Sequence, residues 1–142
     1  MMYTLEEIAA LRQKCNDLKL AGAERLRSYT DEELQVICNG IGPEFLPFWI
    51  RAAVNLLHPT LEPAALIHDV EFEESDGTES SFTAANERFK ENGCLLAKAE
   101  YSWYNPLRYA VMNQARRLAN YCQLFGKDGF LEYAEREKYG TP

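Results

Sequence analysis

The stretch Leu61-Glu62-Pro63-Ala64-Ala65-Leu66-Ile67-His68-Asp69-Val70-Glu71-Phe72 decides the fold. Its length and apolar content predict a helix. On a helical wheel Leu61, Ala64, Ala65, His68 and Phe72 share one face. Leu66, Ile67 and Val70 are apolar on the remaining sides, and a helix that is apolar nearly all round is buried. The adjacent His68 and Asp69 are therefore expected inside the protein or at the floor of a cleft. A buried carboxylate is costly unless it is paired, hydrogen-bonded or bound to a metal. Two readings of the pair follow. One is a core histidine satisfied by a neighbour, with the aspartate at the helix edge. The other is a site.

Working outward, the residues before this helix supply two helix starts. Thr4 followed by Glu7 is a capping box, and Ile8, Leu11, Cys15 and Leu18 then fall at helical spacing, with Gly22 expected as the stop. Thr30 followed by Glu33 is a second box, leading into Leu34, Ile37 and Cys38. This second helix runs into Cys38-Asn39-Gly40-Ile41-Gly42-Pro43. Asn-Gly in left-handed conformation followed by proline reads as a helix stop, which accounts for Gly40 better than for Gly42. A loop with two such glycines also turns carbonyl oxygens toward one point, and these are hard ligands of the kind calcium takes. The following run, Glu44 to Thr60, is the most apolar of the chain and stands either as core or as the wall of a ligand cleft. His58, before a proline, receives no role.

After the helix, Glu73 to Ser81 is an acidic, polar loop. Ser80 or Ser81 is expected to cap a helix reaching Asn92, with Gly93 as its stop. Phe82, Ala85 and Phe89 mark its inner face, and Asn86 lies on that face. A polar amide there needs a buried partner. His68, eighteen positions earlier across a helical-hairpin loop, is the candidate. Cys94–Tyr101 is expected as a further short helix and Ser102-Trp103-Tyr104 as a turn. Asn105-Pro106 is a strong start. From it Leu107, Ala110, Val111, Gln114, Ala115, Leu118, Cys122 and Phe125 repeat with helical period. Arg108, Asn113, Arg116, Arg117, Asn120 and Gln123 are expected to face away. A stop at Gly126 and a last helix from Asp128 to about Tyr139 complete the chain. With no strand pattern, internal repeat or linker, residues 1–142 read as one all-α domain.

Composition narrows the function classes. The net charge of −7 and pI of about 4.9 argue against nucleic acid and against an anionic membrane surface. No apolar run approaches the roughly 20 residues that span a bilayer. The acidic, amphipathic N-terminal stretch is unlike a signal peptide, so the expected location is the cytoplasm. Cys15, Cys38, Cys94 and Cys122 form no C-x-x-C pair and read as small buried apolar residues, not as a zinc site.

Taken together, the glycine-containing CNGIGP loop, the Ala64-Ala65-Leu66-Ile67-His68-Asp69 helix closed by Phe72, and Ala85-Asn86-x-x-Phe89 resemble the phospholipase A2 family. The likeness is to the short bacterial and phage members, and to the lipase domain of parvovirus capsids. It covers roughly residues 30–133 and leaves residues 1–29 as an added N-terminal helical extension. The closing ARRLANYCQLFGKDGF segment is also similar. The resemblance implies that His68 is a general base acting on a water that attacks a phospholipid ester or another acyl ester. It implies that Asp69 and loop carbonyls of Gly40 and Gly42, with Cys38, hold calcium. Two positions depart from the family. Asn86 stands where the family has the aspartate that orients the histidine. Phe72 stands where it has the tyrosine that supports that aspartate. An amide stabilises an imidazolium far less than a carboxylate does. The alternative expectation is therefore a catalytically degenerate binding or assembly module of phage or prophage origin.

Overall fold

A computed structural model describes residues 3–40 and 57–125. These form five α-helices, α1 (Leu5–Asp17), α2 (Asp31–Gly40), α3 (Glu62–Glu73), α4 (Glu79–Glu100) and α5 (Pro106–Phe125), with 3₁₀ turns at Ala23–Ser28 and Pro59–Leu61. Among the described residues there is no strand, so the all-α expectation holds. No helix among them is long and apolar enough to cross a membrane. The run Ile41 to Leu56, with Gly42, and the helix expected after Gly126 lie outside the described residues.

Both capping boxes form. Thr4 and Glu7 bond each other's backbone N–H, as do Thr30 and Glu33. The end of α1 differs from expectation. The helix stops at Asp17, five residues before Gly22. Leu20 N–H donates to Cys15 C=O at 3.1 Å and Lys19 N–H to Asn16 C=O at 3.2 Å. This is a Schellman close in which Lys19, at φ 51°, takes the left-handed position usually given to glycine. Burial of Leu20 against Cys15 in the core offsets the strain. Gly22, at φ 89°, instead opens the 3₁₀ turn, and a Cβ there would lie 2.9 Å from Ile67 Cγ2.

The stop expected at Gly93 is also absent, and α4 runs unbroken to Glu100. A Cβ on Gly93 would meet Ala115 Cβ at 2.5 Å and Leu61 Cδ2 at 3.1 Å. The glycine is there for the close crossing of α4 and α5. The cap of α4 is Thr78, whose hydroxyl accepts from Ser81 N–H at 3.2 Å, and not Ser80 or Ser81. Asp76 Oδ1 braces this start, accepting from Thr78 N–H and from the hydroxyls of Thr78 and Ser81. Helix α5 is rotated from its expected register. Leu107 and Ala110 are exposed, while Val111, Met112, Ala115, Leu118 and Ala119 are buried.

The main core draws on every helix: Ile8 and Cys15 from α1, Leu34 and Ile37 from α2, Leu66, Ile67 and Val70 from α3, Leu96 from α4 and Ala115 from α5. Thus α1 and the following 3₁₀ turn are packed into the same core as α3, not laid against its outside. Two buried polar groups secure this. Asn92, 2% exposed, reaches from α4 to pair with both N–H and C=O of Ala21, each at 2.9 Å. Glu71 on α3 forms a two-pronged pair with Arg88 on α4, at 2.8 and 2.7 Å.

Candidate functional site

Residues His68 and Asp69 lie at the centre of α3, between Ile67 and Val70, both of which are buried in the core. Consecutive helical residues point about 100° apart, so the two side chains meet different neighbours. Both are partly buried.

The histidine faces α4. Its Nε2 lies 2.9 Å from Asn86 Oδ1, the contact expected from their spacing. The ring is flanked by aromatic side chains, Phe72 tilted against it at 4.3 Å and Phe89 edge-on at 5.5 Å between centroids. Burial among these rings pushes the His68 pKa below its ordinary value. The Asn86 hydrogen bond and the charge of Glu71 oppose that shift without overcoming it. The ring is therefore neutral at pH 7. No described residue bonds its Nδ1.

Asn86 is 2% exposed and needs more than one partner. Its Nδ2 donates to Gln123 Oε1 on α5 at 2.9 Å, and Gln123 Nε2 donates to Thr83 Oγ1 on α4 at 3.0 Å. Gln123 was expected to face away. The inward rotation of α5 brings it to the site instead. The sequence carried no signal for this beyond a polar residue one position from the apolar stripe, because the phase of α5 is set by the Gly93–Ala115 crossing.

The aspartate faces the other way, toward α2 and the N-terminal Tyr3. Burial raises its carboxyl to about 8, and a hydrogen bond offered by the Cys38 thiol pulls it back only in part. Its proximity is felt by three neighbours. The thiol of Cys38 is pushed up by burial and then by Asp69. That of Cys122 rises for the same two reasons, to about 11. The Tyr3 phenol rises through burial and then through Glu62 and Asp69. Among the described residues no cationic side chain pairs with Asp69.

Gly40 is the last residue of α2. Gly40, expected with Asn39 at a left-handed stop, is helical, and the residues that follow it lie outside the described ones. Contact between Cys38 and Asp69 brings this end of α2 to the aspartate. Among the described residues no group of three or more His, Cys, Asp or Glu side chains gathers as a metal site.

The second histidine is structural. His58 caps the 3₁₀ turn through Nδ1, which accepts from Thr60 N–H at 3.2 Å, and its own N–H donates to Gln114 Oε1 at 2.8 Å.

No protein-family model, no curated protein and no solved structure matches this chain.

Proposed function

We propose that the chain is a slow, calcium-dependent esterase of the phospholipase A2 type, with His68 as general base and a phospholipid or other acyl ester as substrate. The observation that carries this reading is the 2.9 Å bond from His68 Nε2 to Asn86 Oδ1. An amide oxygen only accepts, so Nε2 bears the hydrogen and Nδ1 keeps its lone pair. A neutral ring held by one nitrogen, with the other bonded by no described residue, is the arrangement that takes a proton from a water. Phe72 and Phe89 fix the ring plane and keep its surroundings apolar.

The protonated Asp69, bonded by the Cys38 thiol and by no cationic side chain among the described residues, supports a cation site beside that base. A carboxyl held at about 8 by burial is relieved by a bound cation. The donor set fits calcium, which takes carboxylate and carbonyl oxygens. Asp69 and the carbonyl end of α2, including Gly40, are the residues that would hold it. Gly42 was expected in the same set and lies outside the described residues. Calcium, when bound, supplies polarisation of the ester carbonyl and charge for the developing oxyanion.

The slowness follows from Asn86. Proton transfer makes His68 an imidazolium, and Asn86 offers it a dipole where a carboxylate would offer a full charge. An Asp-to-Asn change at the orienting position of a serine protease triad costs about 10⁴ in turnover.

A second reading, a binding or assembly module without chemistry, is favoured by the same residue. As a neutral group Asn86 has a partner at each end, His68 at its oxygen and Gln123 at its nitrogen. The deciding experiment is hydrolysis of mixed phospholipid micelles in millimolar calcium by the native chain, His68→Ala and Asn86→Asp. The enzyme reading expects measurable native turnover, none in His68→Ala, and a gain of up to about 10⁴-fold in Asn86→Asp. In that variant Gln123 turns its amide so that Nε2 meets the new carboxylate. Absence of hydrolysis in all three, with zwitterionic and anionic lipids alike, would establish the module reading.

A further inference from the structure

We infer that Gln123 is the positioning residue of this site: it fixes the direction of the Asn86 amide and so selects the tautomer of His68. The inference rests on the reading of His68 as the base, since only that role makes the tautomer matter.

The three hydrogen bonds from His68 through Asn86 and Gln123 to Thr83 join α3, α4 and α5 in one chain. Each primary amide has one donor end and one acceptor end facing its neighbours, so the links must all run the same way. In the direction found, His68 Nε2–H donates to Asn86, Asn86 to Gln123, and Gln123 to the Thr83 hydroxyl oxygen. The reverse direction would need both amides turned end for end from the orientation found. Thr83 would then donate to Gln123, Gln123 to Asn86, and Asn86 Nδ2 to a bare Nε2. That reversal moves the ring hydrogen to Nδ1, the nitrogen a water must reach. The chain therefore has a working direction and an idle one.

Asn86 cannot choose between them alone. Its two ends are nearly the same size, and it is enclosed at 2% exposure with His68 on one side and Gln123 on the other. A carboxylate at position 86 would need no such help, because both its oxygens accept. The second amide is thus the counterpart of having an asparagine in this place. The third group, Thr83, lets Gln123 spend its Nε2 on a hydroxyl oxygen and leave Oε1 for Asn86. A threonine hydroxyl inside a helix has a free outlet for its own hydrogen at the carbonyl one turn back, so it can serve as the terminal acceptor.

The test reads the tautomer directly. The chain has two histidines, and His58 is an internal reference, because its Nδ1 accepts from Thr60 and so its hydrogen also belongs on Nε2. Long-range proton–nitrogen correlation spectra of ¹⁵N-histidine-labelled protein at pH 8, where His68 is neutral, distinguish a hydrogen-bearing from a bare ring nitrogen. The native protein is expected to show a hydrogen on Nε2 of His68 and a bare Nδ1. Gln123→Leu keeps the bulk and removes the chain, so the two nitrogens are expected to move toward averaged values while His58 stays unchanged. Gln123→Glu is expected to restore the native pattern, because an ionised carboxylate can only accept and so holds Asn86 Nδ2 toward itself.

A native His68 carrying its hydrogen on Nδ1 overturns the inference. So does an unchanged tautomer in Gln123→Leu, or a Gln123→Glu spectrum that matches Gln123→Leu. If Gln123→Leu does not fold, Thr83→Val together with Gln123→Met takes its place as the variant without the chain, with the same averaged values expected. These results are independent of turnover. A protein that hydrolyses no lipid but shows the expected three spectra has lost the enzymatic reading and kept the positioning role. A protein that hydrolyses lipid with an averaged native tautomer has done the reverse.

Discussion

Replacing Asp69 by Asn is expected to stabilise the metal-free protein at neutral pH. The Asp69 carboxyl is held at about 8 in the fold, against about 3.9 in an unfolded chain. Folding therefore binds a proton here between those two values, and stability falls as pH rises from about 4 to about 8. Below the lower value both states are protonated and the group is neutral to folding. At pH 7 the fold has given up about three pH units at about 1.4 kcal/mol each, an upper bound of about 4 kcal/mol. Relaxation and the partial exposure of the group reduce this, leaving about 2 to 4 kcal/mol. For a chain of this size that is roughly 6 to 15 °C in melting temperature.

Asparagine keeps an acceptor for the Cys38 thiol and cannot ionise, so Asp69→Asn should recover that amount in excess chelator at pH 7. The difference between the two proteins should shrink to nearly nothing at pH 4. Calcium should reverse the order. At 100 times its dissociation constant it adds about 2.7 kcal/mol to the native chain and nothing to Asp69→Asn. Since a carboxylate binds the ion, uptake at pH 7 should release about one proton per ion, readable by calorimetry in buffers of different ionisation enthalpy. Thermal melts from pH 4 to 8, with chelator and with calcium, check all of this. A metal-free Asp69→Asn that melts below the native protein at pH 7 would refute the reasoning, because it would mean the carboxylate holds a stabilising partner.

Gly93→Ala should destabilise by about 1 to 3 kcal/mol, since the new methyl meets Ala115 Cβ at 2.5 Å. Adding Ala115→Gly should restore most of the loss, as urea unfolding of the single and double variants will show. Asn92→Ala leaves both polar groups of the Ala21 backbone without their partner, and equilibrium unfolding should register a loss of about 2 to 5 kcal/mol. For the Glu71–Arg88 pair, Arg88→Ala strands a carboxylate that is 4% exposed, and should cost more than Glu71→Ala, which strands a guanidinium that is 32% exposed. A chemical-denaturation comparison in which the order is reversed would contradict that assignment. Cys15, buried and raised to about 12, should resist a disulfide reagent at pH 8 in the native protein and react fully in denaturant.

Much of the local structure was legible in the chain because it depends on short-range chemistry. Both capping boxes, the burial of the α3 core residues, the start of α5 and the His68–Asn86 contact depend on spacing within a helix or across one hairpin. The misreadings involve glycine and the phase of helices. Gly22 and Gly93 looked like helix stops because a glycine's conformational freedom is visible in sequence, whereas the closeness of another helix is not. The true stop of α1 was hidden because Lys19, not a glycine, takes the left-handed turn.

The sequence by itself determined that the chain is helical. It also placed an ionisable pair on the most apolar helix and required Asn86 to find a partner. These follow from hydrophobic period and from the cost of burying polar groups, which are properties of a segment. Only the tertiary structure decided that Asp69 turns away from His68 toward Cys38 and the carbonyl end of α2, that Glu71 meets Arg88, and that Gln123 completes the chain to Thr83. Those outcomes depend on the relative rotation of packed helices. That rotation is set where α4 and α5 touch, at a glycine and an alanine too small to announce it.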